Sequence, residues 1–317
     1  MDIILAIPVF IIGIILLWKG SDILVDGTSK TAARFGVSSL IISVILVGFG
    51  TSAPEFAISV GSALQNNPDI SLGNIVGSCI CNLLLVLGIG ALIKPLEIKK
   101  SVIKREAPIV LAVTIFLLVL ALLNLLDAYH IIGGIIFLIV FVFFIIYFIR
   151  IANKERIKIK EYAAEKTLKN IVFIILGILA VIAGAELLIE SSICIANFFC
   201  IPTFIIALSI VAIGTSLPEL VVSAMASYKD EDDIAVGNVL GSNVFNILLI
   251  LGFSASFIPL NAIISIDEII ILVLVTIVLF PIIYTGKIIS RLEGAIMLVL
   301  YAVFIWYIFI GHSFMPF

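Results

Sequence analysis

The sequence predicts an all-α polytopic membrane protein, with ten transmembrane helices in two inverted-topology repeats of five helices each. Three observations carry that expectation. The 317-residue chain is 63% hydrophobic and only 12% charged, where a soluble domain is roughly 45–50% apolar and about 25% charged. Its 18 Lys and Arg residues segregate into alternate connections. Residues 50–88 recur without a gap as residues 214–252. The first observation excludes a soluble enzyme, a disordered chain and a nucleic-acid binder. A net charge of −3 offers nothing to a polyanion.

A helix needs about 20 apolar residues to cross the hydrocarbon core, and ten stretches qualify. The first is 3–18; no basic stretch precedes it, so no cleaved signal peptide is expected. The second, 38–64, is long and interrupted by Pro54. The third, 71–93, begins rich in glycine and ends rich in leucine. The fourth and fifth, 107–126 and 131–149, are almost wholly aliphatic and aromatic. The sixth, 170–189, follows the longest polar connection. The seventh and eighth, 202–228 and 234–260, repeat the character of the second and third, with Pro218 in the place of Pro54. The ninth and tenth are 268–285 and 292–311. Their apolar runs are continuous rather than alternating, which favours helices over a β-barrel.

The connections after spans 1, 3, 5, 7 and 9 fall on one side. They hold Lys19, Lys30 and Arg34, then Lys94, Lys99, Lys100, Lys104 and Arg105, then seven residues from Arg150 to Lys169, then Lys229, then Lys287 and Arg291. That is every basic residue, so this side is expected to be cytoplasmic and both termini external. The chain accordingly divides into a first five-helix repeat over 1–150, a cytoplasmic linker over 151–169 and a second repeat over 170–317. The cell membrane is the expected location.

The repeat is the chemical signal. GTSAPEFAISVGSALQNNPDISLGNIVGSCICNLLLVLG aligns on GTSLPELVVSAMASYKDEDDIAVGNVLGSNVFNILLILG at an offset of 164, with 17 of 39 positions identical. The matches include Thr, Ser, Pro, Glu and Asn, which drift between two apolar helices would not produce. The same offset places Gly20 on Gly184, Asp22 on Glu186 and Leu24 on Leu188. Because five spans separate the copies, the second enters the membrane from the opposite side, a layout common in secondary transporters.

Glu55 and Glu219 sit at equivalent places deep within spans 2 and 7, where an ionisable group costs at least about 2.5–3.5 kcal/mol. No Lys or Arg lies within a span, so a bound cation or protons must balance them. Glu186 falls about one turn from the end of span 6 and is expected to reach the interface. Pro54 and Pro218 remove a backbone donor just before each glutamate, freeing carbonyls around Gly48–Thr51 and Ala212–Thr215. Ser52 and Glu55 share a helical face, as do Ser216 and Glu219. Ser78 with Asn82, and Ser242 with Asn246, do the same in the following spans. Gly73, Gly77, Gly237 and Gly241 read as small-residue packing steps. Asn74 and Asn238 fit interhelical hydrogen bonding and ligation equally well. The donor set is hard and all-oxygen, suited to Ca²⁺ or Na⁺. His130 and His312 lie at span ends; Cys79 and Cys81 read as packing residues. Cys194 and Cys200 fall near the outer face and could form a disulfide. Neither a zinc HExxH nor a Walker lysine occurs, so no enzyme and no cofactor is expected.

The two stretches GTSAPE…GNIVGSCICN and GTSLPE…GNVLGSNVFN resemble the α-1 and α-2 repeats (here 48–88 and 212–252) of the calcium/cation antiporter superfamily, especially prokaryotic sodium/calcium exchangers. The resemblance spans nearly the whole chain. It implies ion sites clustered between spans 2, 3, 7 and 8. By motif match the ligands are the Gly48 and Thr51 carbonyls, Ser52, Glu55, Ser78 and Asn82. The second half supplies the Ala212 and Thr215 carbonyls, Ser216, Glu219, Ser242 and Asn246. Sodium/calcium exchangers often carry an aspartate at the position of Asn246. Proton/calcium members usually open the glutamate motif with Gly-Asn and often place a His after the second glutamate, where this chain has Gly-Thr-Ser and Leu220. The resemblance therefore implies Ca²⁺ exchanged for Na⁺, with H⁺ as the alternative counter-ion and a cation channel as the rival class. Two carboxylates balance one Ca²⁺, two Na⁺ or two H⁺; the resemblance itself implies three Na⁺ per Ca²⁺. No protein partner is expected.

Overall fold

A computed structural model describes residues 3–156, 165–198, 214–263 and 265–313. In chain order the helices are α1 Ile3–Phe35, α2 Ser39–Thr51, α3 Ala53–Leu64, α4 Pro68–Ile93, α5 Val102–Leu122 and α6 His130–Arg156. They continue as α7 Glu165–Phe198, α8 Leu217–Tyr228, α9 Asp232–Phe257, α10 Ile266–Gly286 and α11 Arg291–Ser313. Two short strands, β1 Leu96–Glu97 and β2 Ile288–Ile289, pair antiparallel.

Eight of these helices are long and apolar enough to cross a membrane, and the bent pair α2–α3 makes a ninth. The fold is a polytopic helical membrane fold. The seventh expected span, 202–228, lies partly outside the described residues; α8 is its second half. Helices α4 and α9 are the innermost, with 78% and 94% of their most apolar windows buried, against 28% for α1 and α7. The polar repeat segments therefore occupy the centre, and long apolar helices face lipid around them.

Two expectations need correction. Span 1 does not stop at residue 18; α1 continues through Lys19, Lys30 and Arg34 to Phe35. At about 1.5 Å per residue such a helix is roughly 50 Å long and outruns the hydrocarbon core. Nothing before Gly36, at φ 66°, breaks it. Likewise α7 runs to Phe198, so Glu186 lies three turns from its end, with an exposed side chain.

Connections expected on the same side are joined to each other. Lys229 bridges Asp22 and Asp26 of α1, each at 2.6 Å. Lys94 pairs with Asp230 and Lys99 with Asp233. Glu97 donates its backbone N–H to Asp232 at 2.9 Å, and β1 meets β2. Burial opposes the charge on Lys229, but its bonds to Asp22 and Asp26 outweigh this and hold its pKa above the usual lysine value. On the opposite face, Asn261 donates to Asp69 at 2.9 Å, and the Ala262 N–H to Asp127 at 2.7 Å.

Helices α1 and α7 run antiparallel along each other, and their contacts obey the 164-residue offset. A methyl group on Gly13 would meet the Leu188 nitrogen at 3.0 Å, and one on Gly177 the Leu24 nitrogen at 2.9 Å. One on Gly20 would meet the Val181 nitrogen at 3.0 Å, and one on Gly184 the Leu17 nitrogen at 2.8 Å. Each contact has its counterpart with the roles of the two helices exchanged.

Candidate cation site

The site begins where α2 ends. Pro54 has no N–H to give to the carbonyl one turn earlier, and the chain bends by 48° between α2 and α3. Ser52 sits in the break at φ −79°, ψ 10°, and Ser216 before α8 at φ −87°, ψ 6°. The break puts Glu55 and Glu219 in the first turns of α3 and α8. A helix N-terminus carries partial positive charge, which favours a carboxylate there. Both glutamates are fully buried. Among the described residues no ion pair reaches either of them.

The hydroxyls cross between the halves. Ser52 donates to Glu219 Oε1 at 3.1 Å, and Ser216 to Glu55 Oε1 at 3.3 Å. Within each half, Ser78 donates to Glu55 Oε1 at 3.4 Å and Ser242 to Glu219 Oε1 at 3.3 Å. Ser242 also lies 3.3 Å from the Gly48 carbonyl, because glycines at 48 and 241 let α2 and α9 touch backbone to backbone. Asn82 begins a π-helical turn, Asn82–Val86, and Asn246 lies in the equivalent turn, Phe245–Ile250. Turns of this kind often accompany function.

The structure thus brings Gly48, Thr51, Ser52, Glu55, Ser78, Asn82, Thr215, Ser216, Glu219, Ser242 and Asn246 to one buried centre. Ala212 lies outside the described residues, as does Cys200. Glu186 is not in the cluster. His130 is tied to the Ala255 carbonyl at 2.7 Å, away from it. Asn74 and Asn238 are occupied by protein partners. Asn238 accepts from Thr51 at 3.0 Å and donates to Ser223 at 3.0 Å; Asn74 accepts from Thr215 at 3.4 Å and donates to Ser59 at 2.9 Å. They are interhelical bonds. Gly237 and Gly241 pack against α2 as expected, whereas no described atom lies within 4 Å of a methyl placed on Gly73 or Gly77.

Five buried polar atoms in this centre have no hydrogen-bond partner among the described residues: Glu55 Oε2, Glu219 Oε2, Asn82 Oδ1, and both amide atoms of Asn246. Four of the five are oxygens. One residue of the centre escaped the sequence analysis. Asn243 accepts from Asn82 Nδ2 at 3.0 Å and donates to the Cys79 carbonyl at 3.2 Å. Its counterpart in the first repeat is Cys79, so comparison of the repeats hid it; its position beside Ser242 was the available signal.

Residues 5–150 and 169–310 match the family described as Sodium/calcium exchanger protein. The chain belongs to that family. A putative antiporter, CaxA, of Alkalimonas amylolytica is 37% identical over 258 residues, covering 78% of this chain and 80% of that one. Sodium/calcium exchanger MaX1 of Methanosarcina acetivorans is 32% identical over 349 residues, covering 95% and 97%. Among solved structures, the sodium-calcium exchanger NCX_Mj soaked with 10 mM Na⁺ and no Ca²⁺ superposes with a TM-score of 0.84 at 33% identity, covering 95% of this chain and 98% of that chain. Membership makes the chain a transporter, and the broken helices and central polar residues are the part of the fold on which transport chemistry can act.

Proposed function

We propose that this chain exchanges Ca²⁺ for Na⁺ across the cell membrane by alternating access, binding both ions at the centre just described. The observation that carries the reading is the set of unpartnered oxygens on Glu55, Glu219, Asn82 and Asn246. A buried carboxylate with one oxygen left unpartnered is costly unless something positive meets it. The spacing agrees. Hydroxyl-to-carboxylate separations of 3.1–3.4 Å are long for hydrogen bonds to a carboxylate, ordinarily about 2.5–2.7 Å. They are close to the oxygen–oxygen edge of roughly 3.4 Å around an ion held at about 2.4 Å. The ligands are the side chains of Ser52, Glu55, Ser78, Asn82, Ser216, Glu219, Ser242 and Asn246, with the carbonyls of Gly48, Thr51, Ala212 and Thr215. Ca²⁺ and Na⁺ compete because they share these ligands.

The finer architecture follows from the same pairing of halves. Ten spans form two inverted five-helix repeats, 1–150 and 170–317, joined by a cytoplasmic segment 151–169. Both termini are extracellular, since the joined face carries the basic residues. The mirrored contacts of α1 with α7, and of Ser52 and Ser216 with the opposite glutamates, support that arrangement.

The test is Ca²⁺ uptake into proteoliposomes under an imposed Na⁺ gradient and, separately, an imposed pH gradient. Uptake driven by Na⁺ alone is expected. Uptake driven only by the pH gradient would replace Na⁺ with H⁺, and Ca²⁺ flux that needs no counter-ion would make the protein a channel.

A further inference from the structure

The two amides that face the ion differ in what holds them, and the difference lies in Asn243. Its Nδ2 is 3.2 Å from the Cys79 carbonyl oxygen. A carbonyl can only accept, so the Asn243 group facing it is an N–H and the opposite end is oxygen. That oxygen is 3.0 Å from Asn82, which must therefore present its own N–H there. The Asn82 oxygen is left pointing elsewhere, buried and without a partner among the described residues. Asn243 is itself 1% exposed, so water does not compete for these bonds. In the other half the corresponding residue is Cys79. Its thiol lies 3.9 Å from the Asn243 backbone carbonyl and within reach of the Asn246 amide; a thiol is a weak hydrogen-bonding group, and among the described residues Asn246 has no stronger partner.

We propose that Asn243 is a positioning residue that fixes Asn82 as an oxygen donor to the bound cation, while Asn246, which has only the Cys79 thiol in the corresponding place, is held more weakly. The inference rests on the assignment of Asn82 to the ion site. It gives a two-fold repeated site one rigid amide and one adjustable amide. A fixed oxygen suits Ca²⁺, which takes about 6–8 oxygen ligands and gains from one that needs no reorientation on binding. Without Asn243, Asn82 can rotate and present its N–H to the cation.

The test uses the full chain in proteoliposomes, reading Na⁺-driven Ca²⁺ uptake as KM and maximal rate. Asn243→Leu keeps the volume and removes both hydrogen bonds. It is expected to raise KM for Ca²⁺ about tenfold, the scale on which losing a partner of a metal ligand acts, and to leave the maximal rate within about twofold. The decisive arm is the background Asn82→Asp. A carboxylate presents oxygen whichever way it turns, so Asn243→Leu should raise KM no further there. An equal rise in KM in both backgrounds would mean that Asn243 only fills space, and would overturn the proposal. So would an unchanged KM in the single variant. Should the leucine variant not fold, Asn243→Ala, which only removes atoms, is judged by the same two criteria. Absence of Na⁺-driven uptake in the unmodified protein would reject the antiport reading instead, and this inference with it.

Discussion

At the scale of the residue, the centre is defined by what its carboxylates lack. Glu55 and Glu219 are buried at two helix N-termini, with hydroxyls on one oxygen and, among the described residues, no partner on the other. Removing either charge leaves a cation facing a neutral amide. Breaking a buried charge pairing costs about 3–5 kcal/mol, roughly 100-fold or more in binding. Glu55→Gln and Glu219→Gln are each expected to abolish nearly all Ca²⁺ flux in vesicles. Wild-type flux in both would remove the ion from this place. The burial of these two residues at one centre was legible in the sequence, because an acid without a basic partner recurs at equivalent places in two apolar stretches. The Ser and Asn residues were legible through helical spacing. What spacing does not contain is which oxygen meets which: Ser52 serves the glutamate of the other half, a contact fixed only by packing. Asn74 and Asn238 could not be resolved by type, since an amide ligates and bridges equally well; their five hydrogen bonds to protein groups decide for bridging.

At the scale of the element, proline and glycine do most of the shaping. Pro54 breaks the second span, and the sequence shows the break. The ends of α1 and α7 were misplaced because hydropathy marks where lipid stops, not where the helix stops. Lys19 and Glu186 interrupt the apolar run without interrupting the backbone bonds. The approach of α2 to α9 depends on Gly241, where a methyl group would collide with the Val44 carbonyl oxygen. Gly241→Ala is expected to lower stability by about 1–3 kcal/mol through overpacking, read as a fall in the thermal unfolding temperature in detergent. Gly61→Ala, with no described atom within 4 Å of the added carbon, is the control and is expected to change it little. An equal shift in both would remove the close-contact argument.

At the scale of the whole molecule, the chain separates into a compact polar centre and a pair of long helices beside it. Among the described residues, helices α1 and α7 touch each other far more than either touches the other helices. At one face, α1 is also held by Lys229 through Asp22 and Asp26. The resemblance to the calcium/cation antiporter superfamily implies that spans 1 and 6, here within α1 and α7, form the sliding element of alternating access, and their mutual contacts agree with a pair that moves together. A covalent link between α1 and α7 is then expected to leave Na⁺-driven Ca²⁺ uptake intact, whereas a link from α1 to the 229–233 turn should stop it; arrest by the first link would sink the idea. The seam between the pair supplies the reason for treating it as a unit. Gly13, Gly20 and Gly27 recur every seven residues along α1 and meet Gly184, Val181 and Ile174 on the other helix. Two rods that fit backbone against backbone have no room for a spacer between them. Their mutual grip is short-ranged and stiff, while their hold on the remainder is slighter: Asp22 and Asp26 on Lys229 at one face, and side chains such as Ile178 against Gly50. Such an assembly behaves like a hinged shutter: the panel stays flat, and the work of opening falls on the latch.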